Sequence, residues 1–263
     1  MSFKGIDISK YQTDIDWKKV KANGVKFAII RCSYSIYTDK LFKKHITEAI
    51  KNSIDVGVYC YCKALNAKQA ISEANHVLEL IRPYNITYPV CYDMESDSLA
   101  SLTNKERTDI AIAFAETIEQ AGYYVSIYTS KNWLCNMFDM QSLSRYDIWL
   151  AEWKDKPTYK GNFGMWQKGL ETVNGIGKCD CDIAFKNYPE IIRSLNIRNN
   201  TNKEIKIGSK VKYKGYVHGS SFGLGNKFYV NGIFSVNNVI HNRKYGILIN
   251  NLGWVAEKNC LTL

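Results

Sequence analysis

The sequence predicts an α/β fold, a modified β/α barrel followed by a small all-β domain. Three observations carry this. From residue 3 to about residue 195, short apolar runs alternate with stretches of 3.6-residue periodicity. Those runs are almost continuously hydrophobic, as strands of a covered parallel sheet are. Beyond residue 206 the helical periodicity stops, and short β-type runs alternate with Gly, Asn and Ser turns.

In chain order, strands are expected at residues 3–8, 26–32, 55–61, 88–93, 123–128, 147–151 and 163–167, with helical patterns between them. Ile71, Ala74, Leu78 and Ile81 share a face of the third helix. The fourth opens with Thr103-x-x-Glu106, a capping box in which each residue satisfies the other's free N–H. It presents Ile110, Ala113, Phe114, Thr117 and Ile118 and stops before Gly122, a residue suited to a left-handed cap. Repetition over about 195 residues favours a closed or nearly closed sheet over an open one. Residues 196–204 (NIRNNTNKE) have almost no apolar anchor. A linker is therefore expected at 196–206, between domains at 1–195 and 207–263. In the second domain the runs 210–213, 227–230, 234–236, 246–249 and 253–255 suit a barrel of SH3-like size. So small a core is marginal alone, which leaves docking or oligomerisation as a source of stability.

Composition narrows the class. No run of about 18 apolar residues exists, so membrane insertion is not expected. The start MSFKGIDISKYQ lacks a basic segment followed by an apolar one, so synthesis in a cytoplasm without a secretory signal is expected. Most of the eight cysteines lie in apolar runs and read as buried reduced thiols. The pairs Cys60/Cys62 and Cys179/Cys181 lack zinc-type spacing, and the four histidines are scattered, so neither metal nor cofactor is expected. The net charge is +10, and residues 207–263 hold seven Lys/Arg against one acid, Glu257. Such a tail attracts polyanions, including anionic wall polymers. No nucleic-acid motif accompanies the charge, and no phosphate-binding glycine loop follows the first strand.

In a parallel barrel the chemistry gathers at the carboxyl ends of the strands. Asp7 leaves the first strand and Arg31 the second; Tyr59 and Tyr61 end the third. The fourth delivers Asp93 and Glu95, the fifth Tyr128, the sixth Trp149 and then Glu152 and Trp153, and the seventh Trp166 and Gln167. A last segment, 178–185, offers Asp180 and Asp182. Asp93 and Glu95 at i and i+2 share a strand face, and two carboxylates that close resist joint ionisation. Each residue alone has a structural explanation, but acids and aromatic rings recurring at one end of the barrel suit a sugar site. No Ser/His or Cys/His pair shares strand ends, which argues against acyl transfer.

The motifs 5–12 (GIDISKYQ), 15–17 (IDW), 27–31 (FAIIR), 57–59 (GVY), 92–95 (YDME), 127–129 (IYT), 148–151 (IWLA), 166–167 (WQ) and 180–183 (DCDI) occur in order. Over residues 3–192 they resemble the family 25 glycoside hydrolases, the muramidases that phages of Gram-positive bacteria use as endolysins. The tail resembles SH3-type wall-binding modules. The resemblance implies a TIM-like barrel that hydrolyses the β-1,4 bond between N-acetylmuramic acid and N-acetylglucosamine in peptidoglycan, acting at the wall after release. The family's four acids map onto Asp7, Asp93, Glu95 and Asp180, with Asp182, which stands where Asn is common, as the alternative fourth. Glu95 is expected to be the general acid and Asp93 to assist the substrate's 2-acetamido group. Arg31, Tyr59, Tyr61, Tyr128, Trp149, Trp153, Trp166 and Gln167 are expected to hold substrate. Two alternatives remain: an inverting route with Asp7 or Asp180 as base, and a wall lectin without catalysis. A lectin would have no use for the acids.

Overall fold

The computed structural model describes residues 2–200, 205–240 and 244–262, and the chain divides into two compact units after Arg193. The first unit holds strands β1 (Phe3–Ile8), β2 (Phe27–Tyr34), β3 (Tyr37–Thr38), β4 (Asp55–Tyr61), β5 (Val90–Asp93), β6 (Val125–Ser130), β7 (Asp147–Ala151), β8 (Met165–Val173) and β9 (Gly177–Ala184). Its helices are α1 (Trp17–Ala22), α2 (Phe42–Lys51), α3 (Ala67–Ile81), α4 (Asp97–Ala100), α5 (Asn104–Gln120) and α6 (Lys131–Asn136), and α7 (Tyr188–Asn200) starts in it.

Eight strands close a ring in the order β1-β9-β8-β7-β6-β5-β4-β2, with β2 paired back to β1 and β3 attached outside. Every pairing in the ring from β1 through β2 round to β8 is parallel. By contrast, β9 runs antiparallel to both β8 and β1. This corrects the wholly parallel sheet expected from sequence. A tight turn joins β8 to β9, with Gly175 and Gly177 at positive φ, and it leaves no chain for a crossover helix. No helix lies between β7 and β8 either.

Strand alternation sorts the side chains into two cores. Inside the ring Phe27, Ile29, Tyr88, Cys91, Trp149, Met165 and Tyr188 pack together. Gly5 belongs to this filling, since a Cβ there would fall on the Phe27 ring. Outside, Ile6, Ile8, Ile30, Val56, Val58 and Tyr92 meet the helices. On α3 the buried stripe is Ala70, Ala74, Val77 and Ile81, while Ile71 is 42% exposed. The expected face is therefore displaced: two alanines allow close approach, and Glu73 on the same stripe accepts from Tyr92 Oη at 2.7 Å. Helix α5 has both halves of the Thr103–Glu106 capping box and buries Ile110, Phe114 and Ile118. All eight cysteines are free thiols, seven of them buried.

The second unit is antiparallel. Strands β10 (Lys210–His218), β11 (Lys227–Val239), β12 (Ile247–Ile249) and β13 (Gly253–Val255) close a small ring, and β14 (Leu261–Thr262) joins β10. Val211, Tyr213 and Val217 of β10 point into its core, and Lys210, Lys212, Lys214 and Tyr216 point out. The runs expected at 227–230 and 234–236 are one strand. Asn231, Gly232 and Ile233 between them pair with Lys214, Tyr213 and Lys212 of β10 instead of turning. The expected linker also changes: α7 continues to Asn200, because after Pro189 the stretch contains no Gly or Pro to stop it. Residues 201–204 of that linker lie outside the described residues.

Candidate active site

At the carboxyl ends of the parallel strands a cavity of about 200 Å³ is lined by Asp7, Tyr59, Asp93, Glu95, Tyr128, Trp149, Trp153, Gln167 and Asp180. Three of the four expected acids arrive from strand exits. Asp180 arrives differently: because β9 is reversed, its amino-terminal half lies beside the carboxyl end of β1, with Asp7 opposite Asp180.

Strand β5 ends at Asp93, yet the extended path continues to Glu95 because its neighbours hold it. Met94 N–H donates to Tyr128 O at 2.9 Å, Thr129 Oγ1 donates to Met94 O at 2.7 Å, and Cys62 N–H donates to Asp93 O at 2.9 Å. Met94 is buried in the outer core, so the residues flanking it face the cavity. Asp93 is buried; Glu95 stands at the mouth, open to solvent.

The acids share an electrostatic problem. Burial, then the charges of Glu95 and Asp7, push Asp93 well above its usual range, with Arg31 opposing. Glu95 is raised by partial desolvation and then by Asp180, and Asp180 is raised by burial. Asp7 is raised to about 7, by burial first and then by Asp180. Asp93 Oδ1 and Asp180 Oδ1 are buried and meet no hydrogen-bond partner among the described residues. Unpartnered carboxylate oxygens facing a small polar cavity are costly to the fold and useful to a ligand.

Gln167 organises one wall. Its Oε1 accepts from Tyr128 Oη and from Trp153 Nε1, each at 3.0 Å, which turns its Nε2 toward Asp7 Oδ2 at 2.9 Å. Trp149 donates from Nε1 to Asp182 Oδ1 at 2.8 Å. Asp182 is fully buried and does not line the cavity, so the site-facing acid of the Asp180/Asp182 pair is Asp180.

Arg31 and Tyr61 are not lining residues either, but each pairs in strand register with one that is, Arg31 with Tyr59 and Tyr61 with Asp93. Arg31 Nε is held by Asp39 at 2.8 Å. Tyr61 is raised to about 12 by burial and then by Asp93 and Glu95, and its ring stacks on Tyr34 at 5.0 Å. Trp166 is a correction. It packs in the outer core and donates from Nε1 to Glu152 O at 2.7 Å, because it alternates with the inward-facing Met165 and Gln167. Two features go beyond the sequence reading: three exposed tyrosines, and the hydrogen-bonded setting of Glu152, which the sequence offers only as an acid at the sixth strand's exit. Tyr11, Tyr34 and Tyr37 expose their rings on loops or strand ends past β1 and β2; aromatic residues just beyond strand exits were the available signal. Glu152 is buried and accepts from Thr158 N–H at 2.6 Å, from Lys131 at 3.2 Å and from the Thr158 hydroxyl. Burial alone would raise it, but these donors hold it at about 2, and it anchors the loop that carries Trp153. Among the described residues, no group of three or more His, Cys, Asp or Glu side chains is placed to hold a metal ion.

A barrel of this topology with acids clustered over aromatic rings is a carbohydrate-processing architecture, and the comparisons give it a family. The chain belongs to the glycosyl hydrolases family 25, whose model matches residues 6–169, from just before Asp7 to just beyond Gln167. It is 27% identical over 186 residues to the autolytic lysozyme of Clostridium acetobutylicum, covering 68% of this chain and 55% of that protein. It is 26% identical over 212 residues to lysozyme M1 of Streptomyces globisporus, covering 75% of this chain and 72% of the relative. The modular autolysin LytC of Streptococcus pneumoniae, solved also in complex with a synthetic peptidoglycan ligand, superposes with a TM-score of 0.62 at 30% identity. That match covers 70% of this chain and 47% of LytC. The chain thus spans about half the length of the clostridial relative and of LytC.

Proposed function

We propose that the chain is a muramidase that cuts the β-1,4 bond between N-acetylmuramic acid and N-acetylglucosamine in peptidoglycan, as an endolysin-type enzyme. The observation that carries this is a pair of acids two residues apart lining one cavity, Asp93 buried with an Oδ1 that meets no partner among the described residues and Glu95 exposed. Family membership and lysozyme-named relatives support it.

In this reading Glu95 protonates the glycosidic oxygen as the bond to the anomeric carbon breaks. Substrate covering the mouth removes the remaining water from Glu95 and strengthens its hold on that proton. Asp93 Oδ1 receives the N–H of the 2-acetamido group, whose carbonyl oxygen attacks the anomeric carbon. Water then opens the cyclic intermediate and returns a proton to Glu95. Asp7 and Asp180 face the developing positive charge. Both Asp93 and Glu95 leave one edge of the barrel, an arrangement that favours this route over two carboxylates flanking the sugar. The first product should therefore retain its anomeric configuration, as followed by NMR on a defined glycan. An inverted product would assign Asp7 or Asp180 as base.

The second unit would hold the enzyme on the wall. Its outward lysines Lys210, Lys212 and Lys214, and Tyr216, which packs against Tyr229 with Lys227 above it, suit an anionic sugar polymer. Replacing Lys212, Lys214 and Lys227 with Gln in the full chain should weaken sedimentation with purified walls at low salt by about tenfold, with soluble-glycan turnover retained. Unchanged sedimentation would remove this role.

A further inference from the structure

We propose that Asp182 is a neutral carboxylic acid in the working enzyme, a positioning residue that donates a hydrogen bond from Oδ2 to the Asp7 carboxylate. The inference goes beyond the muramidase reading in assigning this residue, and it rests on that reading only for what Asp7 does next.

The geometry leaves Asp182 little choice. Its Oδ1 is occupied by the indole N–H of Trp149, and its Oδ2 is buried with no donor near it among the described residues. The polar group that does interact with it across the strand pair is another acid, Asp7. Asp182 sits on β9 opposite Gly5, two residues before Asp7 on β1, and the two carboxyls lie within hydrogen-bonding reach. Two carboxylate anions cannot share that distance in a buried site, whereas one proton between them satisfies both. The surroundings decide which acid keeps the proton. Asp7 already accepts from Gln167 Nε2 at 2.9 Å and lines the cavity, so charge on it is compensated. Asp182 has only the indole donor.

The other groups around Asp182 push the same way. Asp180 and Cys181 lie on its own strand, Cys91 faces it from β5 and Tyr128 from β6. None is a cation, and Arg31 on β2 acts on Asp93. Burial and the charge of Asp7 raise Asp182 well above the usual carboxylate range, in agreement with this assignment. The proton thus gives Asp7 a second donor without placing a second charge under the sugar. That donor eases the ionisation of Asp7, which burial and Asp180 raise to about 7, and fixes its orientation from two sides.

The test compares two variants in the full chain. Asp182→Asn replaces the O–H donor by an amide N–H and keeps the acceptor for Trp149, so it should rescue kcat to within about threefold of wild type. Asp182→Ala removes the donor and should cost about 10- to 100-fold in kcat with little change in KM, and move the acid limb of the pH profile upward as Asp7 loses its partner. Infrared difference spectra at neutral pH should contain a protonated-carboxyl carbonyl band that is lost in Asp182→Asn. If Asp182→Asn is as inactive as Asp182→Ala while folded, or if the band is absent from wild type, Asp182 is ionised and the proposal fails. The spectrum needs no substrate. A chain that fails to cut glycan but shows the band would defeat the muramidase reading and leave this one standing.

Discussion

Glu95→Gln is expected to lower the clearing of purified cell walls by about 10²- to 10⁴-fold while the thermal unfolding transition stays in place. Gln keeps the shape of the side chain and its capacity to bond a sugar, but has no proton to give. The effect should fall on kcat, since the cavity wall of Tyr59, Tyr128, Trp149 and Trp153 proposed to hold substrate is unchanged. Glu95 lies beyond the end of β5 with its side chain open to solvent, so the exchange disturbs no core packing. If this variant lysed walls normally, the proton would have to come from another acid in the cavity.

Asp93→Asn is the second large effect, and it should move activity and stability in opposite directions. Turnover should fall by about 10²-fold or more, because the amide cannot stabilise the acetamido N–H as its charge develops. Stability should rise. Asp7, Asp93 and Glu95 are all raised in the folded state, so the native protein binds more protons than the unfolded chain between the two sets of pKa values. For Asp7 that interval runs from 3.8 to about 7. Stability from these groups is fully present below the interval and declines as pH rises through it. Removing the most deeply buried charge should flatten the decline. Calorimetry should find Tm nearly equal for the two proteins near pH 4, with Asp93→Asn about 2–8 °C higher near pH 8. A Tm difference independent of pH would mean that Asp93 bears no electrostatic load in the native state.

Much of this site was readable because strand alternation is strict. Once 88–93 reads as a strand of a parallel barrel, Asp93 must face inward, and the same parity collects Asp7, Tyr59, Tyr128, Trp149 and Gln167. Applied to its end, that rule would also have removed Trp166, since neighbours on a strand cannot both face the sugar. The reversal of β9 was not legible from periodicity, which reports that a segment is extended but not its direction. Gly175 and Gly177, too close to β8 to admit a helix, were the clue. The displaced face of α3 has a different origin: Ala70 and Glu73 carry weak or contrary hydrophobic signals, and Glu73 is inside because the Lys63 N–H and the Tyr92 hydroxyl donate to it. Likewise, the different roles of Asp180 and Asp182 depend on Trp149 and Asp7 meeting them across the ring.

The reversed strand also sets when the enzyme comes into being. Asp7 emerges from the ribosome well before the flanking strand that bears Asp180 and Asp182, which follows more than 170 residues later. Until it arrives, β1 has one edge unpaired and the ring is open between β1 and β8. A partly synthesised chain therefore has Asp93 and Glu95 but no closed cavity around them. Closure of the ring by β9 and assembly of the cavity coincide, so a fragment that stops short of β9 should be inactive.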